Sequence, residues 1–391
     1  MRKISADYIF PGNANPIKNG VIVYDGNGVI ETVLNPTIDA INYNEVEVYE
    51  GIICPGFINT HCHLELSYLK GKISEGGQLH NFVKEIIDLR DQFTEEERLE
   101  AIVLGEKEMI DNGIVGVGDI SNGDSTFEIK EKSSLNYHTF IEVFGSDPTI
   151  AEPAFKHAKG VYEAYFNKTS ASITPHATYS VSDPLVVLIN AHAIQNKSLI
   201  TIHNQETASE NVFFREGKGA MFELLGIAKK TNNSFIPTGK NALPSFLGKF
   251  NRVYKTLLVH NTFTEKEDIL WAQKYSKTIY WCFCPNANEY IEKKQPNYSL
   301  FKNEKCTIGT DSLASNWSLS ILDELKTIAK NDASISLATL LKWATFNGAQ
   351  FLGFEKLGAI EKGKQPGLNL IEHVNLEDLT LQSSSRIRKL I

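Results

Sequence analysis

The chain has 391 residues, room for one large core plus a minor domain, and its 42% hydrophobic and 22% charged composition without low-complexity tracts argues against a disordered protein. A formal charge of -8, from 47 acidic and 39 basic side chains, argues against a partner such as nucleic acid, which is bound through clustered Lys and Arg. No apolar run reaches the roughly 18 residues of a membrane span, "MRKISADYIFPG" lacks the apolar core of an export signal, and an odd number of cysteines, five, reads as reduced thiols, so a cytoplasmic protein is expected.

Residues 1–54 read as short strands and turns: "DYIFPG", "GVIVYDGNGVIETVL" with turn chemistry at Asp25-Gly26-Asn27-Gly28, and "EVEVYEGIICPG". From residue 55 to 350, β-type runs alternate with helical segments such as "LHNFVKEIIDLRDQF", "EEERLEAIVLGEKEMIDNG" and "SLATLLKWATFNGAQFL". The runs are "GFINTHCH", "GIVGVGD", "HTFIEVFG", "ASITPHA", "SLITIH", "TLLVHN", "TIYWCFC" and "CTIGTD". Such alternation predicts parallel strands joined by crossover helices, and eight of them predict an α/β chain folded as a (β/α)8 (TIM) barrel. The stretch 205–249 is longer than one crossover helix needs, and is expected as a lid or as an enlarged surface loop. Residues 351–391, with "LGAIEKGKQPGLNLIEHV" and "SRIRKLI", return to short strands. They are expected to join 1–54 in a small β-sandwich-like satellite domain beside the barrel.

Several of the eight runs end on an ionisable residue, at the end of the strand where such barrels place their chemistry. His61 and His63 are two apart, so they point the same way from a strand and could share one ion; alone, the pair could equally be two solvated imidazoles where a strand meets a loop. Further ligand types close later runs: His203 in "SLITIHNQE", His260 in "TLLVHNTF" and Asp311 in "CTIGTDSLASN". Imidazoles with a carboxylate suit Zn2+, with Fe2+ as an alternative. Asp311 also suits the N-cap of a following helix. Cys282 and Cys284 in "WCFCPNAN" have soft-metal spacing but no second cysteine pair, and are expected as small packed residues. The His63-Leu64-Glu65 triplet fits the HxE of nucleobase zinc deaminases, whose second motif, P-C-x-x-C, does not occur here.

These segments resemble the amidohydrolase superfamily, in its deaminase and chlorohydrolase branch. "PGFINTHCHLELS" is similar to PGxxxxHxH, "TPHATYSVS" to PHxxYxxS, "IHNQET" to HxxET, "CPNAN" to CPxSN and "GTDSLASN" to GTDxxxSN. "GAIEKGKQPGLNLIEHV" resembles the closing GxIxxGxxADLxL strands, with Pro366-Gly367 departing from the usual Ala-Asp. The resemblance implies His61, His63, His203 and Asp311 as ligands of one divalent metal ion, because the fourth run offers His176 and no bridging lysine. It leaves His260 as a catalytic group beside the metal, makes Asp311 the base for a metal-activated water, and places His176 against the substrate.

In hydrolytic deamination a ring nitrogen must be protonated as water adds, and Glu206, three residues beyond His203, is suited to that; otherwise it is a solvated loop carboxylate. His260 would polarise water or stabilise charge on the adduct. His176 would contact substrate or be a hydrogen-bonded core histidine. The expected activity is hydrolysis of a non-peptide C–N bond, as a metal-dependent deaminase of a small purine-like or other N-heterocyclic amine. The alternatives are an s-triazine chlorohydrolase or aminohydrolase and, in another class, a catalytically inactive barrel that binds a partner. Selectivity is expected from the loops after the strands, including Gly77–Phe82 and the end of "IEVFG" near Glu142. A homodimer is the default assembly.

Overall fold

The computed structural model describes residues 1–165, 170–226 and 235–391. At the N-terminal end the turn follows from its residues: Asp25 Oδ1 accepts the backbone N–H of Asn27 and of Val29, both at 2.8 Å, and the chain reverses between strands Val21–Tyr24 and Ile30–Leu34. These strands belong to a seven-stranded sheet that draws on both chain ends. Its order is Arg386–Lys389, Leu368–Glu372, Glu47–Pro55, Arg2–Ile9, Val21–Tyr24 and Ile30–Leu34, with Ile17–Lys18 paired to Arg2–Ile9. Ile4, Ile9, Ile22, Ile30, Ile53 and Leu370 form its apolar cluster.

Glu47–Pro55 passes through Gly56 directly into the central strands, numbered β1 to β8. β1 (Phe57–Cys62), β2 (Ile114–Ser121), β3 (Asn136–Val143) and β4 (Ser170–Pro175) form one parallel four-stranded sheet. β5 (Ile200–Asn204), β6 (Thr256–His260), β7 (Ile279–Phe283) and β8 (Cys306–Ile308) form a second. Strands β1 and β5 to β8 are buried at every position, as parallel strands covered on both faces must be. The two sheets meet at both edges. At one, the His61 carbonyl accepts the backbone N–H of Thr310 and of Asp311, each at 3.0 Å; at the other, the His203 N–H donates to the His176 carbonyl at 2.9 Å.

Each of the eight runs read from the sequence overlaps one of these strands. Glu95–Asp111 is a helix opened by a capping box, with Thr94 and Glu97 exchanging side-chain and backbone hydrogen bonds. The segment read as one helix over 336–352 is instead two short α-helices, Leu337–Lys342 and Gly348–Leu352, around a π-turn at Trp343–Asn347. The Thr345 hydroxyl donates to the Leu341 carbonyl at 2.6 Å, an i to i-4 bond that competes with the regular ladder. Of the stretch 205–249, the described part carries helices Ala208–Glu216, Ala220–Leu224 and Ala242–Phe246, and 227–234 lie outside the described residues. Among the described residues no helix is long and apolar enough to cross a membrane.

Candidate metal centre

His61 and His63 stand at the end of β1, His203 at the end of β5, His260 at the end of β6 and Asp311 three residues past β8. The backbone at two of these points is unusual: His260 has φ +71° and Asp311 φ +57°, the left-handed region that non-glycine residues seldom occupy. Strain of this kind persists where surrounding contacts over-determine it. At Asp311 the contacts are the two N–H bonds to the His61 carbonyl and a hydrogen bond from Asn316 Nδ2 to the Thr310 carbonyl at 2.7 Å; beside His260, Asn261 donates its backbone N–H to the Asn204 carbonyl at 3.1 Å and its Nδ2 to the Cys282 carbonyl at 3.0 Å.

All five side chains are buried and converge. His63 Nε2 lies 3.2 Å from His61 Nε2 and 3.3 Å from His203 Nε2, and Asp311 Oδ1 lies 3.6 and 3.5 Å from the Nε2 atoms of His61 and His63. Nitrogens about 2.0–2.1 Å from a tetrahedral Zn2+ stand about 3.3–3.4 Å apart, so these spacings match the edges of such a coordination sphere. Second hydrogen bonds fix the ligand faces. The His203 Nδ1–H donates to the His176 carbonyl at 2.7 Å, which leaves Nε2 as a lone pair facing the cluster. The His260 Nδ1–H donates to Asn288 Oδ1 at 2.9 Å, and its Nε2 is buried without a hydrogen-bond partner. Ser315 Oγ donates to Asp311 Oδ2 at 2.6 Å, leaving Oδ1 turned to the imidazoles. The donor set therefore fits one divalent cation.

The charges are arranged to match. Burial lowers the basicity of His61, His203 and His260 and takes His63 to about 4, so the imidazoles are neutral donors. Burial alone would raise Asp311, but its hydrogen bond with His61 and the surrounding imidazoles hold it well below the usual carboxylate range. Glu206 moves the opposite way, raised well above the usual range by burial and then by the Asp311 charge. Its Oε1 is 3.6 Å from His260 Nε2.

The structure brings His61, His63, His203, His260, Asp311, Glu206 and His176 together here. Asp311 does not cap a helix: Ser320 caps Ile321–Asn331. Glu206 is buried, not a solvated loop carboxylate. His176 is half-buried, its Nδ1 2.9 Å from Ser180 Oγ and its ring 4.8 Å from that of His203. Cys282 and Cys284 are buried, as are the other three thiols. Sequence reasoning gave no role to Asn288 or Ser315, although both lie inside the quoted "CPNAN" and "GTDSLASN". It also missed Glu210, whose buried carboxylate accepts the backbone N–H groups of Gln205 at 2.9 Å and Glu206 at 3.1 Å and so holds the turn that carries Glu206. Its place beside Thr207, at the start of a helix, was the available signal. Glu142, named only as part of a loop, is buried with Oε1 3.7 Å from His203 Nδ1.

A centre of this composition, at the ends of parallel strands, defines a hydrolase of the metal-dependent type. The chain belongs to the amidohydrolase family, whose model matches residues 52–390. It is 28% identical over 350 residues to an aminodeoxyfutalosine deaminase of a Nitratiruptor species, covering 84% of this chain and 82% of that one. Its structure is similar to that of Helicobacter pylori aminofutalosine deaminase in complex with methylthio-coformycin, with TM-score 0.79 and 23% identity over 95% of this chain and 92% of that one. It is also similar to an adenosine deaminase from Xanthomonas campestris with bound zinc, with TM-score 0.72 and 22% identity over 97% and 86% of the two chains. The last two are likenesses of fold.

Proposed function

We propose that the chain is a hydrolytic deaminase of an adenine-like compound, the amine carried on a purine ring, with one divalent ion held by His61, His63, His203 and Asp311. The observation that carries this reading is the convergence of three inward-facing Nε2 atoms and one carboxylate oxygen at 3.2 to 3.6 Å, with Glu206 beside them. In the same reading β1 to β8 form a closed barrel over 55–350, and 1–54 with 351–391 form the satellite domain.

When bound, the ion would lower the pKa of water from 15.7 to about 7 and so supply the nucleophile at neutral pH. Asp311, a carboxylate, takes the proton lost by water as the C–O bond forms. Glu206, a neutral acid, donates its proton to the adjacent ring nitrogen. Two carboxyls whose surroundings drive their acidities apart are the usual mark of a base and an acid sharing one site. His260 presents Nε2 to the adduct, held in place by Asn288. The C–N bond then breaks, the proton on Asp311 passes to the departing amine, and ammonia leaves. Glu206 recovers its proton from the oxygen added to the ring, which becomes the carbonyl of the product. His176 and Glu142, on the β3 and β4 side, are the proposed contacts for the remainder of the substrate.

The test is an ammonia-release screen with zinc-loaded protein over adenosine, 5'-deoxyadenosine, methylthioadenosine, S-adenosylhomocysteine and aminodeoxyfutalosine, with guanine, cytosine and aminotriazines as comparison. Turnover confined to the adenine series is the expected result. Chloride release from chlorotriazines without ammonia from any purine would establish the dechlorinating alternative, and protein that takes up no divalent metal would establish the inactive-barrel one.

A further inference from the structure

Lys130 and Asp119 form an ion pair at 2.6 Å with neither side chain exposed, and the proposed reaction does not use it. Lys130 belongs to the short helix Phe127–Lys132 that follows β2, and Asp119 lies near the end of β2. The ammonium has three protons and meets three oxygens: Asp119 Oδ2, Ser121 Oγ at 2.9 Å and Thr139 Oγ1 at 3.2 Å. The rings of Phe127 and Tyr137 lie 5.9 and 5.6 Å away. Apolar residues of similar volume often serve stability as well as a buried ion pair does, so packing alone does not account for this one.

Its other end does. With Oδ2 committed to Lys130, Asp119 Oδ1 accepts the backbone N–H of Leu64 at 2.9 Å. Leu64 directly follows His63 and opens the 3-10 turn Leu64–Leu69, at whose start His63 makes no side-chain capping bond. The ladder between β1 and β2 also slips by one residue between Asn59 and Cys62, so regular pairing lapses just before the two histidines and resumes with Cys62 opposite Asp119. A bulge re-aims the side chains around it, and here the Leu64 N–H is tied to Asp119 directly beyond it. We infer that Asp119, oriented by its ion pair with Lys130, is a positioning residue that sets His63 toward the divalent ion through the Leu64 N–H. This rests on the metal reading above.

The experiment compares zinc affinity, by chelator competition on folded protein, with the melting temperature of the metal-free form in the parent and two neutral double variants. Asp119→Asn/Lys130→Met keeps an oxygen for Leu64. Asp119→Leu/Lys130→Met fills the same space without one. The expected result is near-parent zinc affinity in the first and a 10- to 100-fold loss in the second, the usual range for outer contacts of metal ligands. Parent-like affinity in both, with only the melting temperature lowered, would show a merely structural pair and overturn the inference, as would equal weakening in both. If the leucine variant does not fold, Asp119→Ala/Lys130→Met carries the same comparison. A parent that takes up no zinc overturns the metal reading itself, and the inference with it.

Discussion

Glu206 and Asp311 are both buried carboxyls at the mouth of the same strands, yet the pKa of one is raised well above the usual carboxylate range and that of the other is held well below it. The difference comes from their neighbours: burial would raise Asp311, but the imidazoles around it outweigh that, whereas for Glu206 burial is reinforced by the charges of Asp311 and Glu210. Replacing Glu206 by Gln keeps shape and removes the transferable proton. Ammonia release is expected to fall by about 10²- to 10⁴-fold in kcat while zinc content by metal analysis stays at the parent level. Residue types were legible from the chain alone, because a ligand set needs particular atoms. The tautomers were not, since they follow from the His176 carbonyl and Asn288, groups remote in sequence from the imidazoles they orient.

At the scale of elements, the strand ends are held as close as their backbones permit. A Cβ on Gly309 would fall 2.8 Å from both the Cβ and the carbonyl oxygen of His61 and 3.0 Å from Cys282 Sγ. Gly309→Ala is therefore expected to push β8 from β1, costing about 1–3 kcal/mol in urea denaturation and lowering metal content in the purified protein. Away from the site, Thr94→Ala removes half of a capping box and is expected to cost about 1 kcal/mol without changing kcat. Strand positions followed from apolar runs ending at polar residues. The π-turn at Trp343–Asn347 did not, because periodicity reports which face is apolar and not that the Thr345 hydroxyl takes the Leu341 carbonyl.

For the whole molecule, two conditions are expected to shift stability. Removing metal with a chelator should lower the melting temperature, because an ion bound to folded protein alone stabilises it by mass action. Acid should act through His138, buried between the hydroxyls of Ser170 at 2.7 Å and Ser172 at 2.9 Å, with its pKa lowered by burial to about 3. The unfolded chain binds this proton more readily, so the contribution is present above pH 6.5 and is lost as pH falls toward about 3. Between about pH 7 and pH 5 this single group should remove about 2 kcal/mol, and His138→Gln should flatten that part of the urea-denaturation profile.

The sequence by itself determined the alternation of strand and helix, the imidazole and carboxylate residues at strand ends and the family, because these depend on local pattern and on chemistry that only certain side chains carry. Folding decided what depends on distance between segments far apart in the chain. The one-residue slip of β1 against β2, the left-handed turns at His260 and Asp311, and the hydrogen bond from the Leu64 N–H to Asp119 each arise where separate segments press together, and no short stretch of sequence contains both sides of such a contact.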